Sequence, residues 1–186
     1  NVKLTQREWI QVVFLGLFGY YLSSLLDFIG LQYISAGLER LILFLYPSFV
    51  VLINRLFFLQ HLSRTQQWAL GLTYAGIGIA FIGEINEDIS NPHFYWGSFL
   101  IFLCAITFAT YVAGSGKMIP KVGANKFTAY AMLSSTAGVF IHFAIQNKLT
   151  LPISTFTDNW LYGLVLAIGA TVIPTFMLAA GVKRIG

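Results

Sequence analysis

Charge is what this sequence has least of. Asp, Glu, Lys and Arg make up 10% of its 186 residues, against roughly 25% in an ordinary soluble domain. That is too little polar surface to coat a water-soluble globule. Cysteine is almost absent: the single Cys104 excludes an internal disulfide, and its place in an apolar run predicts a buried, inert thiol. Histidine is scarce and dispersed. His61, His93 and His142 fall in separate parts of the chain, which excludes a three-histidine metal site. No Walker loop, H-E-x-x-H or G-x-S-x-G occurs, so nothing supports ATP hydrolysis, and no cofactor or metal is expected. Alternating strands of the kind that build a barrel are also missing.

What remains is apolar. Hydrophobic residues make up 57% and aromatics 16%, and the mean hydropathy is +0.75. A helix rises 1.5 Å per residue and needs about 20 mostly apolar residues to cross the hydrocarbon layer. Six runs meet that requirement, at 10–29, 38–59, 68–85, 95–116, 127–146 and 160–182. The sequence therefore predicts an all-α integral membrane protein of six transmembrane helices, with the bilayer as its main partner. All four tryptophans sit at the edges of these runs, as in the aromatic belts of membrane interfaces.

The net charge of +4 does not indicate a nucleic-acid partner, because the basic residues lie in short connections between runs. If run 10–29 starts on one side, that side holds Lys3, Arg7, Arg55, Arg64, Lys117, Lys121, Lys126, Lys183 and Arg184, and the other holds Arg40 and Lys148. Basic loops stay inside. Both ends of the chain are therefore expected in the cytoplasm of a multi-pass cell-membrane protein, with the acidic loop of Glu84, Glu87 and Asp88 outside.

A shift of 151 residues places Trp9 on Trp160, Leu15 on Leu166, Gly30 on Gly181 and Ile34 on Ile185. Small and polar residues follow suit: Gly16, Gly19 and Ser23 match Ala167, Ala170 and Pro174, while Tyr20 and Ser24 match Thr171 and Thr175. The two runs lie five crossings apart and so run in opposite directions, the geometry of an inverted repeat. A five-helix unit predicts a ten-helix parent, with two spans before Asn1 and two after Gly186. The polar, methionine-less start and the stop just after a hydrophobic run fit that expectation. On this division 1–85 holds the last three helices of one repeat, 86–94 a connecting loop, and 95–186 the first three helices of the next.

Polar residues at helical spacing mark the candidate pathway. Tyr20, Ser24 and Asp27 share one face, and so do Thr107, Tyr111 and Ser115. A carboxylate facing lipid near the membrane centre costs at least ~2.5 kcal/mol, so the Asp27 face is expected to point inward, or else Asp27 is an interfacial acid at its helix end. Glu39 and Arg40 open the second run near that same end, and Asp27 has either Arg40 or Glu39 as partner. Pro47 and Pro174 each remove a backbone hydrogen bond inside a run and are expected to kink it. Tyr46, just before Pro47, joins Tyr20, Ser24, Thr107, Tyr111, Thr171 and Thr175 as a pathway candidate. Asp27, Glu39 and Arg40 are candidates for a gate or ion pair. Ala69, Thr73, Gly76, Ala80 and Gly83 form a small-residue stripe suited to helix packing within one chain or in a homodimer.

The stretch G-L-Q-Y-I-S-A-G-L-E-R-L-I-L-F-L-Y-P-S-F-V-V-L-I at 30–53 and L-S-R-T-Q-Q-W-A-L-G-L-T-Y-A-G-I-G-I-A at 62–80 resemble the EamA-type transporters of the drug/metabolite transporter superfamily. Residues 180–186 resemble the start of the same element in a second repeat. The resemblance implies ten helices in two inverted five-helix repeats, with both ends cytoplasmic and a central cavity. It makes the present runs the third to eighth, with run 68–85 peripheral. It also implies a secondary permease or exporter of amino acids or other small metabolites, working by alternating access, and that these six helices do not transport alone. A membrane scaffold subunit is the alternative. An embedded enzyme would need an acid/base or metal cluster at one depth, and the sequence offers none.

Overall fold

A chain this apolar satisfies its backbone in lipid by forming helices, and the computed structural model, which describes residues 4–59, 63–88, 91–146 and 153–185, is helical in nearly all of them. Lys3, His61, Lys148 and Pro152 lie outside the described residues, as do the side chains of Glu84, Glu87 and Asp88. The elements are α1 (Gln6–Gly16), a π-helical turn (Leu17–Leu22), α2 (Ser23–Gly30), α3 (Ala36–Leu43), α4 (Tyr46–Phe58), α5 (Arg64–Asp88), α6 (Phe94–Val122), α7 (Ala124–Gln146), α8 (Ile153–Leu166), a second π-helical turn (Ala167–Val172) and α9 (Ile173–Ile185).

Five stretches are long and apolar enough to cross a membrane: Gln6–Gly30, Ala36–Phe58, Phe94–Val122, Ala124–Gln146 and Trp160–Arg184. At 25 residues, or about 37 Å at 1.5 Å each, α5 has the length to be the sixth. The protein is an all-α, multi-pass membrane protein. Trp9, Trp68, Trp96 and Trp160 are all exposed, as are Phe28, Phe57, Leu72 and Phe140, which makes the outer surface one for lipid.

Local chemistry sets the helix ends. Thr5 caps α1 in a capping box with Glu8, and Ser35 caps α3 by accepting from the Leu38 amide at 3.2 Å. The sequence K-M-I-P-K-V, expected as a connection, instead extends α6 to Val122. Lys121 in its last turn favours the helix C-terminus, and Gly123 stops it at φ +89° with its amide on the Ile119 carbonyl.

Two compact units partition the chain: Asn1–Leu17 with Gly114–Gly186, and Phe18–Ala113. In the first, α1 packs on α7 and α7 on α9. Gly16 lies so close to α7 that a Cβ would overlap the Ala131 carbonyl and the Ser134 hydroxyl, and Gly114 lies likewise against Leu15. Trp9 and Tyr130 bring their rings to 4.6 Å. In the second unit Ile34, Leu38, Phe94 and Ile101 form the core, flanked by Ile42 and Leu43. Gly30 and Gly97 face each other there, so that a Cβ on either would press on the other's carbonyl oxygen.

The small-residue stripe of α5 is uncovered at its described positions. Ala69, Thr73, Gly76 and Ala80 are exposed, and Gly76 has open space where a Cβ would go. Among the described residues these stripe positions stand clear of other helices, and α5 reaches its neighbours from elsewhere, for example through the hydrogen bond from Tyr74 to Ser48 of α4.

Overpacking a tight helix contact costs about 1–3 kcal/mol. Gly16→Ala is therefore expected to lower the melting temperature of the purified full-length protein by several degrees, and Gly76→Ala to leave it within about one degree. Equal shifts in a thermal unfolding assay would show that the α1–α7 contact is looser than its geometry implies.

Candidate functional site

The candidate site grows out of two places where a helix cannot continue regularly. The first is the π-helical turn Leu17–Leu22, which holds no proline. Such a turn widens the backbone and loosens its own hydrogen bonding, a feature frequent at functional sites. Here the Ser23 hydroxyl, four residues on, donates to the Gly19 carbonyl. Gly19 also has no Cβ to hold α6 away, and the Tyr111 side chain of α6 occupies the space one would fill.

The second place is the junction of α3 and α4. Pro47 has no amide hydrogen to give the Leu43 carbonyl, and the kink expected there is a complete break. Phe44 and Leu45 form a turn in which the Leu45 amide reaches back to the Ile42 carbonyl at 3.0 Å, and a new helix starts at Tyr46 with Pro47 in its first turn.

Between these breaks lies a cavity of about 370 Å³, lined by Gly19, Tyr20, Ser23, Ser24 and Asp27, by Arg40, Leu43, Phe44 and Tyr46, and by Cys104 and Phe108. All of these residues belong to the unit Phe18–Ala113. One wall is a chain of rings: Tyr46 to Phe108 at 5.3 Å edge-on, Phe108 to Tyr111 at 6.1 Å, and Tyr111 to Tyr20 at 4.7 Å. The Tyr20 and Tyr111 hydroxyls close this chain with a hydrogen bond of 2.7 Å.

The charged groups are unequal. Asp27 interacts through its carboxyl group with Glu39, not with Arg40. Glu39 is 7% exposed and sits in the first turn of α3, where the helix dipole favours negative charge. Asp27 Oδ1 is buried with no hydrogen-bond partner. Arg40, by contrast, is exposed.

Of the candidates read from the sequence, Tyr20, Ser24, Asp27, Arg40 and Tyr46 line this one cavity, and Tyr111 braces it from behind. Thr107 does not line it; its hydroxyl donates to the Cys104 carbonyl of its own helix at 2.9 Å. Thr171 and Thr175 belong to the other unit, where Thr175 is buried and Thr171 exposed. Sequence reasoning missed the apolar part of the lining. Cys104 and Phe108 share a face with Tyr111 at i, i+4 and i+7, but attention to hydroxyls had selected Thr107 instead.

Pro174 accounts for the second π-helical turn. Lacking an amide hydrogen, it leaves the carbonyl of Ala170 without its helical partner, and the backbone widens over the residues just before it, Ala167–Val172. This turn begins 150 residues after the first (167 against 17), one residue from the register of 151. In the structural register Gly19 falls on Gly169, each the third residue of its turn.

Residues 1–82 match the EamA-like transporter family. Among curated proteins, the chain is 31% identical over 175 residues to the uncharacterized transporter YcbK of Bacillus subtilis, covering 92% of this chain and 55% of that one. It is 26% identical over 193 residues to the uncharacterized transporter YdfC of the same organism, covering 100% and 59%. An uncharacterized transporter of Archaeoglobus fulgidus is 26% identical over 133 residues, covering 70% and 45%. The chain thus spans little more than half the length of the two Bacillus relatives. No solved structure matches it.

The aromatic wall sets an order of sensitivity. Tyr111→Ala removes the ring beneath Gly19 and is expected to destabilise most, by about 3 kcal/mol. Tyr111→Phe loses the 2.7 Å hydrogen bond and is expected to cost about 1 kcal/mol. Thr107→Val, which gives up a bond within one helix, is expected to cost least. Thermal unfolding of the three purified full-length variants checks the order.

Proposed function

We propose that the chain, whose residues 1–82 match the EamA-like transporter family, is the central part of an EamA-type secondary transporter of the drug/metabolite transporter superfamily, one that carries small metabolites by alternating access. One observation carries the reading: a cavity of about 370 Å³, with a few polar groups in an aromatic wall, opens where two membrane helices break. Broken helices that line a cavity at membrane depth are the usual way membrane transporters expose backbone and polar side chains to a solute.

The recurrence of a π-helical turn, with glycine as its third residue, at Leu17–Leu22 and Ala167–Val172 supports an inverted repeat. The repeated element survives in backbone geometry where side-chain identity has faded. In this reading the two repeats rock about the site, Tyr20, Ser24 and Tyr46 touch the solute, and Asp27, Glu39 and Arg40 form its charged rim. Thr171 and Thr175 stand at the equivalent place in the second repeat. The weight of Lys and Arg on one side supports a reading in which both ends of this segment face the cytoplasm.

Two experiments test the proposal. Full-length protein in liposomes is expected to carry labelled amino acids or other small metabolites faster than protein-free vesicles. Ser24→Trp, which fills the cavity, is expected to cut that flux at least tenfold while the protein stays folded. Flux unaffected by Ser24→Trp would remove this cavity from the pathway. For orientation, in a cysteine-free background, a membrane-impermeant maleimide is expected to label His93→Cys in intact cells and Lys121→Cys only after the membrane is opened. The reverse pattern would invert the assignment.

A further inference from the structure

The two π-helical turns differ in one respect: the first is covered and the second is bare. No residue of Leu17–Leu22 is exposed, and Gly19 is buried. The Tyr111 side chain of α6 fills the place where a Cβ of Gly19 would go. In the second turn, Ala167–Val172, every residue is exposed, and Gly169 has open space at the same place. The exposure runs unbroken from residue 160 to residue 174. At 3.6 residues per turn that stretch circles the helix about four times, so no face of it is covered among the described residues.

Lipid alone is a poor cover for such a stretch. Ala167, Gly169 and Ala170 have little side chain with which to shield the widened backbone, and hydrocarbon offers backbone groups no hydrogen-bond partner. Small residues also admit a second helix at close range, but they do not say which one. The repeat does.

An inverted repeat carries each helix contact of one half over to the other. The helix over the first turn is α6, which opens the second repeat. Its counterpart opens the first repeat and is the earlier of the two spans that the five-helix unit puts before Asn1. The exchange takes Gly19 forward to Gly169 and Tyr111 back by the same 150 residues, to about 40 before Asn1 (111 less 150). The Bacillus relatives have length for such a span, since this chain covers 55% and 59% of them.

We propose that the bare second turn is the docking site of an upstream span of the same polypeptide, the one that opens the first repeat, with a ring-bearing side chain lying over Gly169 as Tyr111 lies over Gly19. The proposal rests on the inverted-repeat part of the transporter reading and is independent of the solute.

Disulfide trapping in the full-length protein tests it. In a cysteine-free background, Val165→Cys and Ile173→Cys, about one turn either side of Gly169, are each paired with cysteines at four consecutive upstream positions around the counterpart of Tyr111. A protease site introduced between that span and Asn1 reports the link. After oxidation and cleavage, at least one pair is expected to keep the two fragments joined within a single chain until reductant is added. Gly169→Leu is expected to lower the melting temperature by several degrees, through overpacking. Gly163→Leu, in α8 and off the face of Gly169, is expected to leave it unchanged.

The proposal is overturned if no upstream pair joins. Disulfide-linked dimers through Val165→Cys or Ile173→Cys alone would give the site to a second copy. Trapping by a parallel set of cysteines beyond Gly186 would give it to a later span. Gly169→Leu as stable as the parent or more so would leave the turn facing lipid, where leucine is simply the better helix former. Flux that Ser24→Trp still blocks, with no upstream link, would leave the transporter reading standing while this one fell. An upstream link without such flux would do the reverse.

Discussion

Every backbone carbonyl in a membrane needs a hydrogen-bond donor, because the hydrocarbon supplies none. The described spans obey this by remaining helical, and the candidate site occupies the places where the rule is hardest to satisfy. Pro47 withholds a donor from Leu43, and the chain answers with the tight turn at Phe44–Leu45. Pro174 withholds one from Ala170, and the backbone widens over Ala167–Val172. At Leu17–Leu22 the backbone widens without a proline, and the Ser23 hydroxyl serves the Gly19 carbonyl. Each repair leaves a local irregularity, and the first and third of these border the cavity.

Holding a cavity open in a bundle requires rigid walls, and in lipid those walls come from close packing rather than from a drive to escape water. The glycines show where it is used. Gly19 admits the Tyr111 ring, and Gly30 and Gly97 let α2 and α6 approach to backbone distance. These contacts hold α6 against the first π-helical turn at the aromatic wall and against α2 further along. The equally small face of α5 has no such neighbour among the described residues. Small residues thus permit a close approach without specifying one; the facing residue decides whether it forms.

The fold was largely legible because lipid simplifies the code. Apolar length alone located the helices, and the observed ends moved mainly outward: α6 runs on to Val122 because lysines suit a helix C-terminus, although they look like a loop. The site was legible where its members are polar and spaced along one face, as with Tyr20, Ser24 and Asp27. Tyr46 was marked by the proline beside it. The reading failed on the α6 part of the lining, Cys104 and Phe108, since an apolar residue facing a cavity has the same sequence signature as one facing lipid. Thr107 misled for the complementary reason: a hydroxyl in a membrane helix can spend its hydrogen bond on its own backbone. The first π-helical turn had no proline to announce it, and only its likeness to the second reveals the register of 150.

The charged corner shows why burial must be weighed separately from sequence position. Asp27, Glu39 and Arg40 sit within a short segment, and read as letters they suggest a neutralised cluster. In the fold Asp27 meets Glu39, while Arg40 lines the same cavity from an exposed position. No salt bridge joins Asp27 to Arg40 among the described residues; the partner of Asp27 is the Glu39 carboxyl. A hydrogen bond between two carboxyl groups needs one proton between them, so the pair carries less charge than its two letters suggest. A carboxylate at membrane depth is expensive, and sharing a proton lowers that cost without a cation. The acid pair therefore sits beside the cavity as a group whose charge depends on its neighbours, which sequence position alone does not reveal.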